Sequence, residues 1–209
     1  NLNGQSFTLW GTAINSTNIN VVNGTSKIYT SSGTGDFWIK GNSFGGSSNV
    51  LFNIQGTTLT FDTGVTVHVA VGVDFGTLAN KVLINSVLQM ETNGFVINNS
   101  PSYGNSSTLI YNNGVAGFYR NMEWRANSLN ASSVGGYPHD VKIIGNTPLD
   151  LDVRNGFGTT VPNDIGCSGN LTIDSGSSLN MDNMVKKLIV GGYLNNNGIV
   201  YMSGAAGGD

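Results

Sequence analysis

The chain has 209 residues, nine Lys and Arg against twelve Asp and Glu, and 39% apolar residues. This apolar content with a net charge of only −3 excludes a disordered tail, and scattered cations without a basic stripe argue against nucleic-acid binding. Gly, Asn, Ser and Thr together make 98 residues, whereas the helix-favouring Glu, Lys and Ala number two, six and eight. A helical or α/β fold is therefore nearly excluded.

Short runs of alternating apolar and polar residues, separated by turn residues, follow one another along the whole chain. Their period of two is typical of strands with one buried face, which predicts an all-β fold. The runs are Ile19–Val22, Lys27–Tyr29, Phe37–Ile39, Val50–Ile54, Leu59–Phe61, Val65–Val69, Val82–Ile84, Val87–Met90, Phe95–Ile97, Leu109–Tyr111, Val141–Ile144, Leu149–Leu151, Leu171–Ile173, Leu179–Met181 and Leu188–Val190. The predicted inward side chains include Val50, Phe52, Ile54, Leu59, Phe61, Val82, Ile84, Leu171, Ile173, Leu179 and Met181.

The runs recur along the chain at nearly equal intervals. Ile19, Val50 and Val82 begin successive groups of runs in the first half, and Val141 and Leu171 do so in the second. A fixed period of about 30 residues is typical of solenoids, so we predict a right-handed parallel β-helix of about six or seven rungs, each with three short strands. A β-sandwich is the alternative, because it also has short strands with frequent turns.

Turns in the predicted coil carry residues that tolerate positive φ. They are the pairs Asn23-Gly24, Asn93-Gly94, Asn113-Gly114, Asn155-Gly156 and Asn197-Gly198. No shift in composition marks a boundary, so we expect a single domain over residues 1–209. Two segments, 112–139 and 152–169, interrupt the repeat and are expected to be excursions from the coil. Insertions into solenoids often bind ligands, which makes segment 112–139 the first candidate.

The second half of the chain also carries a family resemblance. From about residue 107 its motifs run STLIYNNG, MEWRAN, GYPHDVKIIGNTPLDL, CSGNLTIDSGSSLNM and KKLIVGGYLNNNGIVYMSGAAGGD. This order resembles the β-helical repeat region of large adhesin-like cell-surface proteins of Bacteroidetes, which are substrates of the type IX secretion system. The resemblance implies secretion, surface attachment and an adhesive or stalk role, and it transfers no catalytic residue. Since no sorting domain follows, we expect the chain to be a fragment of a longer repetitive protein.

Several acidic residues are catalytic candidates, because β-helices also carry polysaccharide lyases and hydrolases. Asp150 and Asp152 alternate with apolar residues, with Arg154 two positions further on, so all three lie on one strand face. That face could hold Ca²⁺ beside an Arg, or it could simply face water. His139-Asp140 and the Glu123/Arg125 pair are weaker candidates, because no nucleophile accompanies them.

Ligand contacts are predicted on segment 112–139, where Tyr119, Trp124, Arg125 and Tyr137 gather. Aromatic faces offer sugar rings an apolar surface, and Arg adds directional donors. Trp124 is the best candidate for an exposed platform. The same residues could instead close one side of the coil.

The resulting functional expectation is an exported, extracellular β-solenoid that acts as a rigid adhesive or stalk module and is not an enzyme. The alternatives are a polysaccharide-degrading lyase or hydrolase and a structural filament subunit. Expected partners are surface glycans or another cell surface, flanking repeats of the same chain, or other copies stacked end to end, because rung ends expose strand edges. No cofactor, metal, nucleic acid or membrane insertion is expected, and the lone Cys167 can form no internal disulfide.

Overall fold

The computed structural model describes residues 1–10, 17–21, 24–41, 50–54, 58–76, 81–97, 99–114, 118–119, 123–124, 137–150, 165–181 and 188–202. Within these ranges the regular structure consists entirely of strands, so the all-β prediction is confirmed. The strands are short, as their spacing by turn residues predicts.

The strands are numbered in chain order. Their bounds are β1 Ser6–Trp10, β2 Thr17–Val21, β3 Thr25–Ile28, β4 Gly35–Lys40, β5 Val50–Ile54, β6 Thr58–Phe61, β7 Val65–Ala70, β8 Gly72–Asp74, β9 Val82–Ile84, β10 Val87–Met90, β11 Phe95–Val96, β12 Ser102–Tyr103, β13 Thr108–Asn112, β14 Phe118–Tyr119, β15 Asp140–Ile144, β16 Pro148–Asp150, β17 Ile165–Cys167, β18 Leu171–Ile173, β19 Ser178–Asn180, β20 Leu188–Val190, β21 Leu194–Asn196 and β22 Ile199–Tyr201.

One long sheet runs through the described structure from its first strand to its last coil. Its eight strands lie in the order β1-β4-β7-β10-β13-β15-β18-β21. Beside it lie sheet B (β11-β8-β5-β2), sheet C (β12-β9-β6-β3), sheet D (β14-β16-β19-β22) and sheet E (β17-β20). All pairings between the described strands are parallel. The antiparallel hairpins that a sandwich would need are therefore missing from this part of the chain.

The length of chain between neighbours in the long sheet is uneven. Ser6, Asp36 and Thr66 are successive partners and are equally spaced along the chain. The next two partners, Val87 and Thr108, each follow after a clearly shorter stretch. The chain segments that lead to β15 and β18 are again longer, and the segment that leads to β21 is shorter. The chain therefore mixes longer and shorter connections between successive strands of this sheet, which has eight strands in the described structure.

The predicted phase of the repeat is wrong in the first half of the chain. Val50 pairs with Val73 in sheet B, whereas Val82 lies in sheet C. The strand that contains Val73 is not evident from the sequence pattern, so the predicted repeat aligns residues that belong to different sheets. In the second half the predicted pairing of Val141 with Leu171 is confirmed.

The core lies between the sheets and is formed by the inward side chains of each strand. Burial alternates along β4, β5 and β7, as the period of two predicts. Of the side chains predicted to point inward, all except Met181 are at most 5% exposed, and Met181 packs against the core while partly buried. Aromatic contacts connect neighbouring parts of the core; the ring centroids of Phe52 and Phe75 lie 5.2 Å apart in a stacked arrangement.

Buried polar residues form a ladder at the corner between the long sheet and sheet D. The hydroxyl of Thr147 accepts a hydrogen bond from the Asn113 backbone N–H at 2.6 Å, and the Ser177 hydroxyl accepts one from the Thr147 N–H at 3.2 Å. All three residues are at most 3% exposed. At other corners Gly24 and Asn93 have positive φ, as expected, whereas no positive φ occurs at Asn113-Gly114 or Asn197-Gly198. Asn155-Gly156 lies outside the described residues.

The two segments expected to leave the coil each contribute a strand. β14 falls within 112–139 and pairs with β16, and β17 falls within 152–169 and pairs with β20. These strands open sheets D and E, at the point where sheets B and C end. Only the long sheet continues through this change in the described structure.

The corner ladder predicts a stability difference between two isosteric substitutions. Thr147→Val leaves the buried Asn113 N–H without its hydroxyl acceptor and should lower the free energy of unfolding by about 1–3 kcal/mol. Thr172→Val, on the outer side of β18, should change it by less than about 0.5 kcal/mol. Urea denaturation followed by circular dichroism measures both, and equal effects would contradict the ladder.

Candidate functional site

Of the four residues predicted to contact a ligand, the two whose side chains the structure describes are buried. Trp124 is 0% exposed and Tyr137 is 2% exposed. The interpretation of Trp124 as an exposed platform is therefore wrong, because its indole lies in the core. Tyr119 belongs to β14, of which only the backbone is described, and Arg125 lies outside the described residues.

Glu123 and Trp124 lie in the core, where sheets B and C end and sheets D and E begin. The Glu123 carboxylate accepts hydrogen bonds from the Tyr111 hydroxyl at 3.0 Å and from the Val96 backbone N–H at 3.3 Å. The Glu123 carbonyl accepts one from the Tyr103 hydroxyl at 2.5 Å. Burial, reinforced by the Glu123 charge, holds the pKa of Tyr103 well above its ordinary value. The phenol therefore stays protonated and remains a donor at neutral pH.

These contacts reach edge strands of sheets B, C and E. Val96 is in β11, the last strand of sheet B, and Tyr103 is in β12, the last strand of sheet C. The Trp124 indole N–H donates to the Gly166 carbonyl of β17, the first strand of sheet E, at 3.0 Å. The dipeptide thus bonds to an edge strand of three sheets. This supports the alternative interpretation of segment 112–139, in which its aromatic residues close one side of the coil.

The acidic candidates are only partly described. β16 ends at Asp150, Leu149 before it is buried as predicted, and Asp152 and Arg154 lie outside the described residues. His139 and Asp140 do contact each other, at 3.2 Å between Nδ1 and Oδ1.

The surroundings of the His139-Asp140 pair are structural in character. The same Asp140 oxygen accepts the backbone N–H of Asn170 at 2.8 Å, which joins the corner before β18. Burial, with a smaller contribution from Asp140, raises the pKa of the nearby Cys167 thiol to about 11. Cys167 is thus a buried, protonated thiol rather than a nucleophile at neutral pH.

A cluster that the sequence did not reveal lies on the outer face of the long sheet. It spans three neighbouring strands, β4, β7 and β10, and is called the His68 cluster below. Its members are Asp36, Trp38, Lys40, His68, Gln89 and Glu91. Trp38, His68 and Gln89 face one another because the strand register pairs them directly.

The imidazole of His68 is held on both nitrogens. Nδ1 lies 2.6 Å from Glu91 Oε1, and Nε2 lies 3.2 Å from Asp36 Oδ1. The Gln89 amide donates to the same Glu91 oxygen at 2.6 Å. A singly protonated ring can donate to one carboxylate only, whereas a doubly protonated ring donates to both. The arrangement therefore fixes the orientation of the imidazole ring and holds one carboxylate on each side of it.

Aromatic stacking completes the cluster. The rings of Trp38 and His68 are stacked, with centroids 4.0 Å apart and planes 7° apart, and Lys40 Nζ lies 4.2 Å from the centre of the Trp38 ring. The side chain of His68 is 12% exposed and that of Asp36 is 46% exposed. Because the indole is already in contact with other groups, the cluster offers a ligand mainly hydrogen-bonding groups. Carboxylate, amide and ammonium groups of this kind suit a hydroxyl-rich ligand such as a glycan.

The comparisons with known proteins give no information on this site. Comparison with protein-family models, with curated proteins and with solved structures finds no match for the chain. The described residues contain no group of three or more His, Cys, Asp or Glu side chains placed to hold a metal ion. Nor does any described segment form a helix with the length and apolar character needed to cross a membrane.

Trp124→Ala tests whether this residue is structural. Removing a fully buried indole should lower the free energy of unfolding by about 3–5 kcal/mol. Tyr193→Ala, which truncates a 76% exposed ring, should change it by less than about 0.5 kcal/mol. Thermal and urea denaturation measure the difference, and a Trp124→Ala protein as stable as the parent would contradict the burial.

Proposed function

We propose that this chain is an exported cell-surface module that acts as a rigid spacer and adheres to glycans through the outer face of its long sheet. Its fold is a right-handed parallel β-helix with three short strands per coil. The observation that carries the proposal is the run of eight parallel strands in one sheet, which joins β1 near the N-terminus to β21 near residue 196.

The strand order supports the β-helix. In the first three coils, β1 to β9, each strand pairs with the strand three positions later in the chain, and the three sheets keep their order. Parallel neighbours require a crossover connection, and such crossovers are right-handed in almost all proteins. A right-handed coil with one strand in each of three sheets meets both requirements.

The stacking supports rigidity. Seven spacings of ~4.8 Å give the long sheet a width of ~34 Å along the coil axis. The inward rows are continuous: Phe37, Val67, Leu88, Leu109, Val141 and Leu171 follow one another in register, all at most 4% exposed. Bending the stack would open these contacts, so the coil keeps its ends at a constant separation.

Export and surface attachment are supported by the sequence. The high content of Gly, Asn, Ser and Thr, the single Cys and the resemblance to repeat regions of Bacteroidetes type IX secretion substrates all favour an extracellular protein. An adhesive or stalk role suits such a protein, because a stiff solenoid carries a binding surface away from the cell.

The His68 cluster is the proposed glycan contact. It combines two carboxylates, an amide and an ammonium group on a rigid sheet, so their hydrogen-bonding directions are set before a ligand arrives. In segment 112–139, Tyr119 and Arg125 stay predicted ligand contacts of secondary rank, since their neighbours Trp124 and Tyr137 are buried. A polysaccharide-degrading β-helix enzyme is the competing proposal, and the binding experiment distinguishes it when product formation is followed as well.

Binding to a panel of acidic and neutral glycans tests the proposal. Asp36→Ala removes an exposed carboxylate of the cluster and should weaken binding about tenfold, the effect of losing a hydrogen bond to a charged group. Lys142→Ala is the matched control, because Lys142 is exposed on the same face two strands beyond Gln89. It should bind as the parent does.

Three results would contradict the proposal. Parent protein that binds no glycan in the panel removes the adhesive role. Equal loss of binding in both variants moves the contact away from the His68 cluster. New reducing ends or unsaturated products that accumulate with time would support the enzyme instead.

A further inference from the structure

A neutral His68 ring carries one proton but faces two carboxylates. Glu91 Oε1 lies 2.6 Å from Nδ1, whereas Asp36 Oδ1 lies 3.2 Å from Nε2. Two acceptor atoms without a hydrogen between them repel each other, and the repulsion is stronger at the shorter distance. The Glu91 side chain is also less exposed than that of Asp36, at 16% against 46%, so water can serve Asp36 more easily. The single proton is therefore assigned to Nδ1, which donates to Glu91.

This protonation state leaves two acceptor atoms facing each other. Nε2 of a ring protonated on Nδ1 carries a lone pair, and that lone pair points towards Asp36 Oδ1. The other Asp36 oxygen, Oδ2, accepts a hydrogen bond from the Ser6 hydroxyl at 3.4 Å. His68 Nε2 and Asp36 Oδ1 are called the acceptor pair below. Because the Asp36 side chain is nearly half exposed, a donor group of a ligand can reach the acceptor pair.

The charges around the ring disfavour an anionic ligand. The charged groups of the cluster are Asp36 and Lys40 of β4 and Glu91, which directly follows β10. Apart from His68, β7 contributes no titratable side chain. Two carboxylates and one ammonium group leave one net negative charge while the ring is neutral. A hydroxyl of an uncharged sugar therefore fits the acceptor pair better than a sugar that brings a carboxylate of its own.

A second proton on the ring closes the acceptor pair without a rearrangement of heavy atoms. Nε2 then becomes a donor, and its distance of 3.2 Å to Asp36 Oδ1 is already that of a hydrogen bond. This bond joins an imidazolium to a carboxylate, so it is stronger than a bond between neutral groups. Histidine side chains change their charge between about pH 5 and pH 8. The acceptor pair is therefore open to a ligand near neutral pH and closed under mildly acidic conditions.

From these observations we propose that the acceptor pair binds a hydroxyl of an uncharged glycan and that protonation of His68 releases that glycan. The inference rests on the proposed adhesive function, and it adds the class of glycan and the control of binding by pH. The sugar hydroxyl and the second proton of the ring compete for Asp36 Oδ1. Glycan affinity therefore falls as the pH falls through the range in which His68 takes up its second proton. His68 is thus a ligand-binding residue as well as the pH-sensitive one.

Nuclear magnetic resonance of the ligand-free protein tests the protonation of the ring. The chain has two histidines, His68 and His139, so their ring signals can be identified by comparison with His68→Gln and His139→Gln. Long-range proton–nitrogen spectra report which ring nitrogens carry a proton. At about pH 7.5 His68 should be protonated on Nδ1 alone, and at about pH 5 it should be protonated on both nitrogens.

Titration calorimetry with defined sugars tests the ligand and its competition with the proton. The probes are neutral hexasaccharides of glucose, mannose and N-acetylglucosamine and an acidic hexasaccharide of galacturonate. A neutral probe should bind about tenfold more weakly at about pH 5.5 than at about pH 7.5, because one linked proton changes a binding constant by at most tenfold per pH unit. At the higher pH the acidic probe should bind about tenfold or more weakly than the neutral one.

Three variants separate the role of His68 from other effects of pH. His68→Gln should bind more weakly than the parent and with the same Kd at both pH values, because the titrating ring is gone. Asp36→Asn places an amide donor against Nε2, so it should mimic the closed pair and bind weakly at both pH values. His139→Gln is the matched control and should keep the pH dependence of the parent. Circular dichroism at both pH values checks that each variant is folded.

The contrary outcomes distinguish this inference from the adhesive function. A proton on Nε2 of the ligand-free protein near neutral pH overturns the open acceptor pair, whatever the glycan measurements show. A neutral probe that binds with the same Kd at both pH values overturns the control by pH and leaves the adhesive function intact. Parent protein that binds none of the probes overturns the assigned ligand together with the proposed function, and the spectra then still decide how the ring is protonated.

Discussion

Parallel backbone pairing in the long sheet determines which side chains face the core and which face outward. Side chains alternate between the two faces of a strand, so a slip of one residue would turn a core row outward. The register avoids this at every step of the sheet, although the returns of the chain differ in length. The turns between the strands accommodate the differences in segment length, and the sheet keeps one inward and one outward face.

The same register creates the proposed glycan contact. On the outer face it places Trp38, His68 and Gln89 side by side, although they belong to three strands that are far apart in the chain. A sheet with a different register would separate the charged groups of the His68 cluster.

Buried polar groups stabilise the region where sheets B and C end and sheets D and E begin. Where sheets B and C give way to sheets D and E, strand edges would lose their partners inside the protein, and each unpaired buried group is destabilising. Glu123 and Trp124 supply acceptors and a donor to Val96, Tyr103 and Gly166. A ligand-binding interpretation of these side chains and a structural one therefore compete, and burial favours the structural one.

The sequence predicted strand content and core residues well because both depend on local alternation. It failed on features that need the register. The predicted run Val65–Val69 is not followed by a second predicted strand, because β8 begins with only Val71 between it and β7, and this missed corner shifted the repeat. The buried Trp124 indole donates its hydrogen bond to Gly166, 42 residues away in the chain. Likewise His68 is recognisable as part of a site only when pairing places it between Asp36 and Glu91.

Distances along the long sheet test the stacked parallel coil most directly. Thr8, Ile110 and Thr172 occupy one outward row, four and six strands apart counted from Thr8. In a protein with Cys167 replaced by Ala, cysteines that carry spin labels are placed at Thr8 and Ile110 in one variant and at Thr8 and Thr172 in another. Pulsed electron resonance measures the distance between the two labels in each variant. Parallel strands spaced ~4.8 Å apart give Cα separations of ~19 Å and ~29 Å, a difference of two strand spacings. Equal distances for the two pairs, or a shorter distance to Thr172 than to Ile110, would contradict it.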